Sequence, residues 1–224
     1  MSESGGTIDE RPRRVPVARR RSTYRHGDLR RALVEAGIEL ARAGGPEAIV
    51  LREATRRVGV VPNAAYRHFA NREALLQAVR AAALAMLATA MEDELAGLRR
   101  TRRAADDARA SLRAVGAAYL RFAQTETGLF RTAFAVPDAV EGDTDLDKAG
   151  SSGLNPFQLL GAALDRMTEA GALPAERRPG AEYLAWSAVH GLALLVIDGP
   201  LGRLEAEVTQ ALQQRLLMMV ENGL

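Results

Sequence analysis

Few residues in this 224-residue chain are placed to do covalent chemistry. There is no cysteine, which excludes disulfides, Cys-ligated zinc and thiol catalysis. His26, His68 and His190 fall in no metal-binding spacing, and no HExxH is present. Asp143, Asp145 and Asp147 alternate as in a calcium loop. However, Lys148 stands where such a loop needs Gly, and Leu154 where it needs a bidentate Glu, so a solvated acidic loop is expected. Ser187 and His190 are close in sequence but have no orienting acid, and there is no phosphate-cradling glycine loop or nucleophile elbow. No metal, cofactor or enzymatic activity is therefore expected. What remains is cationic and hydrogen-bonding chemistry, concentrated near the front of the chain.

Charge supports that emphasis. The net charge is only +2, yet residues 11–31 carry +8 and residues 32–224 carry −3. Of the 30 basic residues, only Lys148 is lysine. A near-neutral body with a basic front end is the footprint of an anion-binding arm, and nucleic acid is its first candidate partner. A solvated tail without a partner has the same composition. No apolar run long enough to span a membrane and no secretory leader is apparent, so a cytoplasmic protein is expected.

The elements that must position this chemistry are helices. Alanine is abundant, with 42 residues, apolar residues recur at spacings of three and four, and alternating strand patterns are nearly absent. The expected fold is all-α. Residues 1–22 are polar, Arg-rich and broken by Pro12 and Pro16, so they are expected to be a disordered basic arm. Helices are expected over about 28–43, 51–58, 62–69, 72–99, 104–124, 126–135, 154–170, 178–197 and 204–221, with a mobile loop over 136–153. Asp28 suits the start of the first helix and Asn71 the start of the fourth, while Gly44-Gly45-Pro46 and Gly59 act as stops.

Residues 51–69, LREATRRVGVVPNAAYRHF, contain two short helices around Gly59. Leu51, Ala54, Thr55 and Val58 can face inward, Val60 can fill the corner, and Ala64, Ala65 and Phe69 can seat the second helix with its other face free. That is a helix-turn-helix whose protruding helix fits the DNA major groove, although an ordinary αα-hairpin has a similar pattern.

Several motifs agree in order and spacing with one family. Tyr24-Arg-His-Gly-Asp-Leu-Arg30, Gly44-Gly-Pro-Glu-Ala48, Leu51-Arg-Glu-Ala54, Val58-Gly-Val60, Pro62, Tyr66-Arg-His-Phe69 and Asn71-Arg-Glu-Ala-Leu75 closely resemble the DNA-binding domain of TetR-family transcriptional regulators. Downstream, Trp186-Ser-Ala-Val-His190-Gly191 resembles the Trp-His-Gly (WHG) motif of one class of TetR C-terminal domain. The resemblance implies a three-helix DNA-binding domain over 23–71 and a helical-bundle ligand-binding and dimerisation domain over 72–224. It implies that Tyr66, His68 and Arg72 contact phosphate, and that Pro62, Asn63 and Ala64 open the recognition helix near base edges. Arg25 would reach the adjacent minor groove, and Arg52 and Arg67 would supply surface charge or phosphate contacts. The chain departs from the family pattern at Val50 and Val61, where hydroxyl caps are common, and at Thr55, whose extra hydroxyl needs a partner.

The same resemblance implies a cavity for a mainly apolar small-molecule effector. Its candidate lining is Met91, Tyr119, Phe122, Phe130, Phe134, Phe157, Met167, Trp186 and His190, each of which can equally be plain core. The last two helices carry broad apolar faces, and two recognition helices one DNA turn apart require a two-fold axis, so a homodimer on a pseudo-palindromic, double-stranded DNA operator is expected. The implied function is a ligand-responsive repressor. A DNA-binding activator or architectural protein without an effector, and a helical bundle acting as an enzyme or carrier, are the rival readings.

Overall fold

The computed structural model describes residues 26–137 and 142–224. The arm expected over 1–22 and Arg25 lie outside these, as does the side chain of Asp28. Among the described residues the chain forms helices and turns and no strand. Helix α1 (His26–Gly44) buries Leu29, Leu33, Ala36 and Leu40 on one face. A short 3-10 turn, Pro46–Ala48, leads to α2 (Leu51–Val58). Gly59 ends α2 at φ 76°, and the Val60 N–H bonds back to the Thr55 carbonyl at 3.0 Å, the pattern a left-handed residue permits. Thr55 is buried, and its hydroxyl donates to the Arg52 carbonyl at 2.7 Å, which satisfies the extra group.

Helix α3 (Pro62–Ala65) is shorter than its sequence suggests. The chain continues through Phe69 as turns, with the N–H groups of His68 and Phe69 both bonded to the Ala65 carbonyl at 2.9 Å. Two demands end the helix early. Phe69 must enter the core, and Asn71 must become extended to cap α4 (Arg72–Ala96) through the Ala74 N–H at 2.9 Å. Neither Val50 nor Val61 provides a side-chain cap, as their residue types dictate.

Helix α4 stops at Gly97 rather than running to Arg99. It is followed by α5 (Ala104–Thr125), α6 (Thr127–Ala133), α7 (Pro156–Glu169), α8 (Ala181–Ile197) and α9 (Ala206–Gly223). Helix α7 begins at Pro156 because Asn155 and Gln158 form a reciprocal capping box. Helix α8 begins only after Pro179 and Gly180. The described part of the loop expected over 136–153 is tied down by a 3-10 turn at Leu146–Lys148 and by bonds to α4.

The buried side chains form one continuous cluster from Leu29 to Leu224. Helix α4 crosses that whole core. At 1.5 Å per residue its 25 residues span roughly 37 Å, so a single rigid element links the helix-turn-helix to the C-terminal bundle. By length and composition it is apolar enough to cross a membrane, but half of that apolar window is buried within the fold.

Candidate nucleic-acid interface and effector cavity

The face of the helix-turn-helix turned away from the core carries most of the residues singled out in the sequence. Arg52, Asn63, Tyr66 and Arg67 are exposed, and Tyr66 is 57% exposed despite its ring. An amphipathic ring left in water beside cations suits a phosphate or sugar contact better than packing. Ala64 and His68 are half-buried, and Ala64 packs against the core edge. Arg56 is held by Glu53 through two bonds of 2.9 and 2.6 Å, so it offers less free charge than Arg52 or Arg67.

Arg72 has a second occupation. Its Nε donates to the Ile49 carbonyl at 2.8 Å and an Nη to the Pro46 carbonyl at 2.7 Å. These bonds staple the start of α4 to the 3-10 turn before α2. The sequence motif indicates only a cation at a helix N-terminus. The planar fork is what lets one side chain hold two carbonyls.

The C-terminal bundle holds an apolar cavity between α4, α5, α7, α8 and α9. Met91, Tyr119, Phe134, Phe157 and Trp186 line it, as the sequence suggests, along with Leu84, Val115, Leu160 and Val189. The cavity is small, about 80 Å³, so its clefts are narrow. Phe122, Phe130 and Met167 do not reach this cavity. All three are buried in core packing, and Phe130 backs the wall, edge-on to Tyr119 with ring centroids 5.3 Å apart. His190 lines an adjoining, more polar chamber with Arg80, Asp143 and Ser187. Leu84, Phe134, Asp143 and Trp186 border both chambers.

A hydrogen-bonded chain joins the two chambers. The Trp186 indole N–H donates to the Tyr119 hydroxyl at 3.0 Å, and that hydroxyl lies 2.6 Å from His190 Nδ1. Burial pushes the Tyr119 phenol well above its ordinary range, partly offset by the Trp186 bond, and burial pushes the His190 imidazole down. Both groups are therefore neutral near pH 7. Tyr119 is 71 residues from His190, so neither periodicity nor motif could have paired them.

Two further features escaped the sequence. The Arg80 guanidinium is buried on α4, and its Nε donates to the Ala133 carbonyl of α6 at 3.0 Å. The Glu92 carboxylate accepts four bonds, from the backbone N–H and hydroxyl of Ser151 (2.8 and 2.6 Å) and of Ser152 (2.9 and 2.5 Å). Burial alone would raise its pKa, but these four donors hold it down at about 2. Beside this clamp Lys148 pairs with Asp143 at 2.6 Å, and both line the cavity. The alternating aspartates thus serve their own turn, with Asp143 and Asp145 also capping nearby backbone N–H groups.

Helix α6 connects the cavity to the helix-turn-helix. Phe134, just after its end, lines the cavity. Its start rests on α1, where a Cβ built on Gly128 would lie 2.0 Å from the Ala41 carbonyl oxygen. Only glycine permits that approach. Alongside, Arg42 Nε donates to Glu126 at 2.9 Å.

Two family models match the sequence. Residues 33–79 match bacterial regulatory proteins of the tetR family, and residues 112–220 match the tetracyclin repressor-like C-terminal domain. Among curated proteins none matches. Several solved structures share the fold. A Rhodococcus sp. RHA1 protein of unknown function is 25% identical with a TM-score of 0.66, covering 88% of this chain and 97% of that one. A TetR variant from Acinetobacter baumannii AYE in complex with minocycline is 19% identical with a TM-score of 0.58, covering 90% and 96%. A putative tetR family transcription regulator from Shewanella sp. PV-4 is 15% identical with a TM-score of 0.56, covering 84% and 95%.

Proposed function

The chain has the fold and the domains of a TetR-family transcriptional regulator, and from that premise we propose that it is a cytoplasmic, homodimeric repressor released from a pseudo-palindromic DNA operator by a mainly apolar small molecule. Residues 23–71 read DNA, and residues 72–224 dimerise and bind the effector. The single observation that carries this reading is that α4 is tied at its start to the helix-turn-helix, through Arg72 on the Ile49 and Pro46 carbonyls, and lines the cavity at Leu84 and Met91. The minocycline complex of the Acinetobacter TetR variant adds support from a protein of the same fold.

In this mechanism Asn63 meets a base edge, Tyr66, His68 and Arg67 hold phosphates, and Arg25 and Arg52 extend the contact. Pro62 and Ala64 set the approach of the recognition helix, while Arg72 keeps its start aligned. A ligand entering the narrow clefts displaces Phe134 and Trp186. Because α6 rests on α1 through Gly128, and α4 is bonded to α6 through Arg80, that movement alters the spacing of the two helix-turn-helix units. The effector acts to the extent that it binds the wrongly spaced state better.

Dimerisation is supported by apolar side chains left in water on α8 and α9. Leu184 is 67% exposed, Met219 61%, Met218 49% and Val208 47%. Gly191 faces open space, which lets a partner helix approach closely. The Trp-His-Gly assignment of the C-terminal domain is part of the same proposal. Trp186 and His190 both engage Tyr119 from one side of α8, and Gly191 lies on the other.

The test is selection of genomic DNA fragments by the full chain, followed by anisotropy titrations in increasing salt. A palindrome with half-sites about one turn apart and affinity that falls steeply with salt is expected. No enriched palindrome, or affinity indifferent to salt, would refute the reading.

A further inference from the structure

The Trp186–Tyr119–His190 chain has only one self-consistent direction. An indole N–H can only donate, so the Tyr119 oxygen is an acceptor at 3.0 Å from Trp186. Tyr119 is 3% exposed and its hydroxyl meets no other acceptor among the described residues, so its own proton goes to His190 Nδ1 at 2.6 Å. If Nδ1 carried the proton instead, the buried phenol hydrogen would be left unpaired. His190 is thereby locked in one tautomer, with Nδ1 bare and the proton on Nε2.

That second nitrogen makes no bond among the described residues, and it is not among the sealed polar atoms of the fold. His190 borders the polar chamber, which Arg80 and Ser187 also line. The chamber communicates with the apolar cavity past Phe134 and Trp186. The Asp143 carboxylate on the same wall is paired with Lys148, which reduces its repulsion of an incoming oxygen.

Building on the effector reading above, we infer that the effector is a slender apolar molecule bearing an oxygen hydrogen-bond acceptor, a carbonyl or carboxylate, and that this oxygen docks on the Nε2–H of His190 while the apolar body fills the neighbouring cavity. The tautomer makes the selection. A head that can only donate finds an imidazole already presenting a proton, and is rejected because two donors then face each other.

Two matched probes test this, 2-acetylnaphthalene and 2-ethylnaphthalene, which differ in little but the carbonyl. Trp186 is the sole tryptophan and borders both chambers, so its quenching reports binding in the full chain. The ketone is expected to bind roughly three- to tenfold more tightly, the usual range for one hydrogen bond. His190→Leu should abolish that preference while keeping affinity for the hydrocarbon. His190→Gln, which retains a donor near the Nε2 position, should preserve it. Nitrogen-15 spectra of the unmodified protein provide a measurement independent of any variant's folding. They should report a bare Nδ1 and a protonated Nε2, with only the ketone perturbing the Nε2 signal. Equal affinities for the two probes, a preference surviving in His190→Leu, or a protonated Nδ1 would each overturn the inference and leave the effector cavity standing. No binding of either probe would overturn both.

Discussion

Replacing Gly128 by alanine is the sharpest perturbation the fold offers. The added Cβ would sit 2.0 Å from the Ala41 carbonyl oxygen, 2.8 Å from that of Arg42 and 3.0 Å from the Ala41 carbonyl carbon. Ordinary C···O contacts lie near 3.3–3.6 Å, so α1 and α6 must separate by roughly 1.3 Å. All three obstructing atoms are backbone, and no side-chain rotation relieves the clash. The Ala41 oxygen also accepts the Gly45 N–H at 2.7 Å, so moving it disturbs the end of α1. Overpacking costs about 1–3 kcal/mol, and against backbone that cannot rotate away the upper half of that range, about 2–3 kcal/mol, applies, partly offset by the roughly 1 kcal/mol that alanine gains over glycine in a helix. A net loss of about 1–2 kcal/mol corresponds to a fall in Tm of roughly 2–8 °C for a chain of this size. Because the contact seats the helix-turn-helix on the bundle, operator affinity should fall as well. Scanning calorimetry and anisotropy on the operator returned by genomic selection would check both. Gly223→Ala, at a glycine with open space around it, serves as the control. If Gly128→Ala melted and bound operator as the control does, the close approach of α6 to α1 would not be holding the two parts together.

Three further outcomes are expected. Glu92 has a folded pKa of about 2, below its ordinary value, so its clamp on Ser151 and Ser152 contributes fully above about pH 5 and is lost as pH falls toward 2. Glu92→Gln should cost about 1–2 kcal/mol at neutral pH, allowing for screening at this part-exposed site, and should flatten that acid limb in urea titrations. Arg72→Lys should lose most of the operator affinity and part of the Tm that Arg72→Ala loses, because an ammonium cannot bridge the Ile49 and Pro46 carbonyls; full activity in the lysine variant would assign Arg72 to phosphate alone. Leu184→Arg combined with Met219→Arg should yield a folded monomer by sedimentation, with operator binding weakened at least tenfold, and an unchanged dimer would move the interface elsewhere.

What could be read in the sequence was whatever short range decides. The stops at Gly44 and Gly59, the opening at Pro62 and the Asn71 cap follow from the backbone freedom and hydrogen bonding of single residues. The inward face of α1 follows from 3.6-residue periodicity. Element ends depart from local preference where a distant demand intervenes. α3 ended early because Phe69 was needed in the core, and the 142–153 segment was held because Glu92, about 60 residues away, collects its N–H groups.

The sequence by itself determined that this chain is helical, that a helix-turn-helix with exposed Arg52, Asn63, Tyr66 and Arg67 stands near its front, and that an aromatic-rich bundle follows. Only the tertiary structure decided which aromatics face a cavity and which are core, since Phe130 and Phe134 are four residues apart on one face and differ only in what packs behind them. It alone bonded Tyr119 to His190 and Trp186, and Arg72 to Ile49 and Pro46. Backbone preferences act within a turn or two and leave a local signature in the residue order. The protonation state, donor direction and wall position of a side chain depend on neighbours brought together from 20 to 70 residues away by packing.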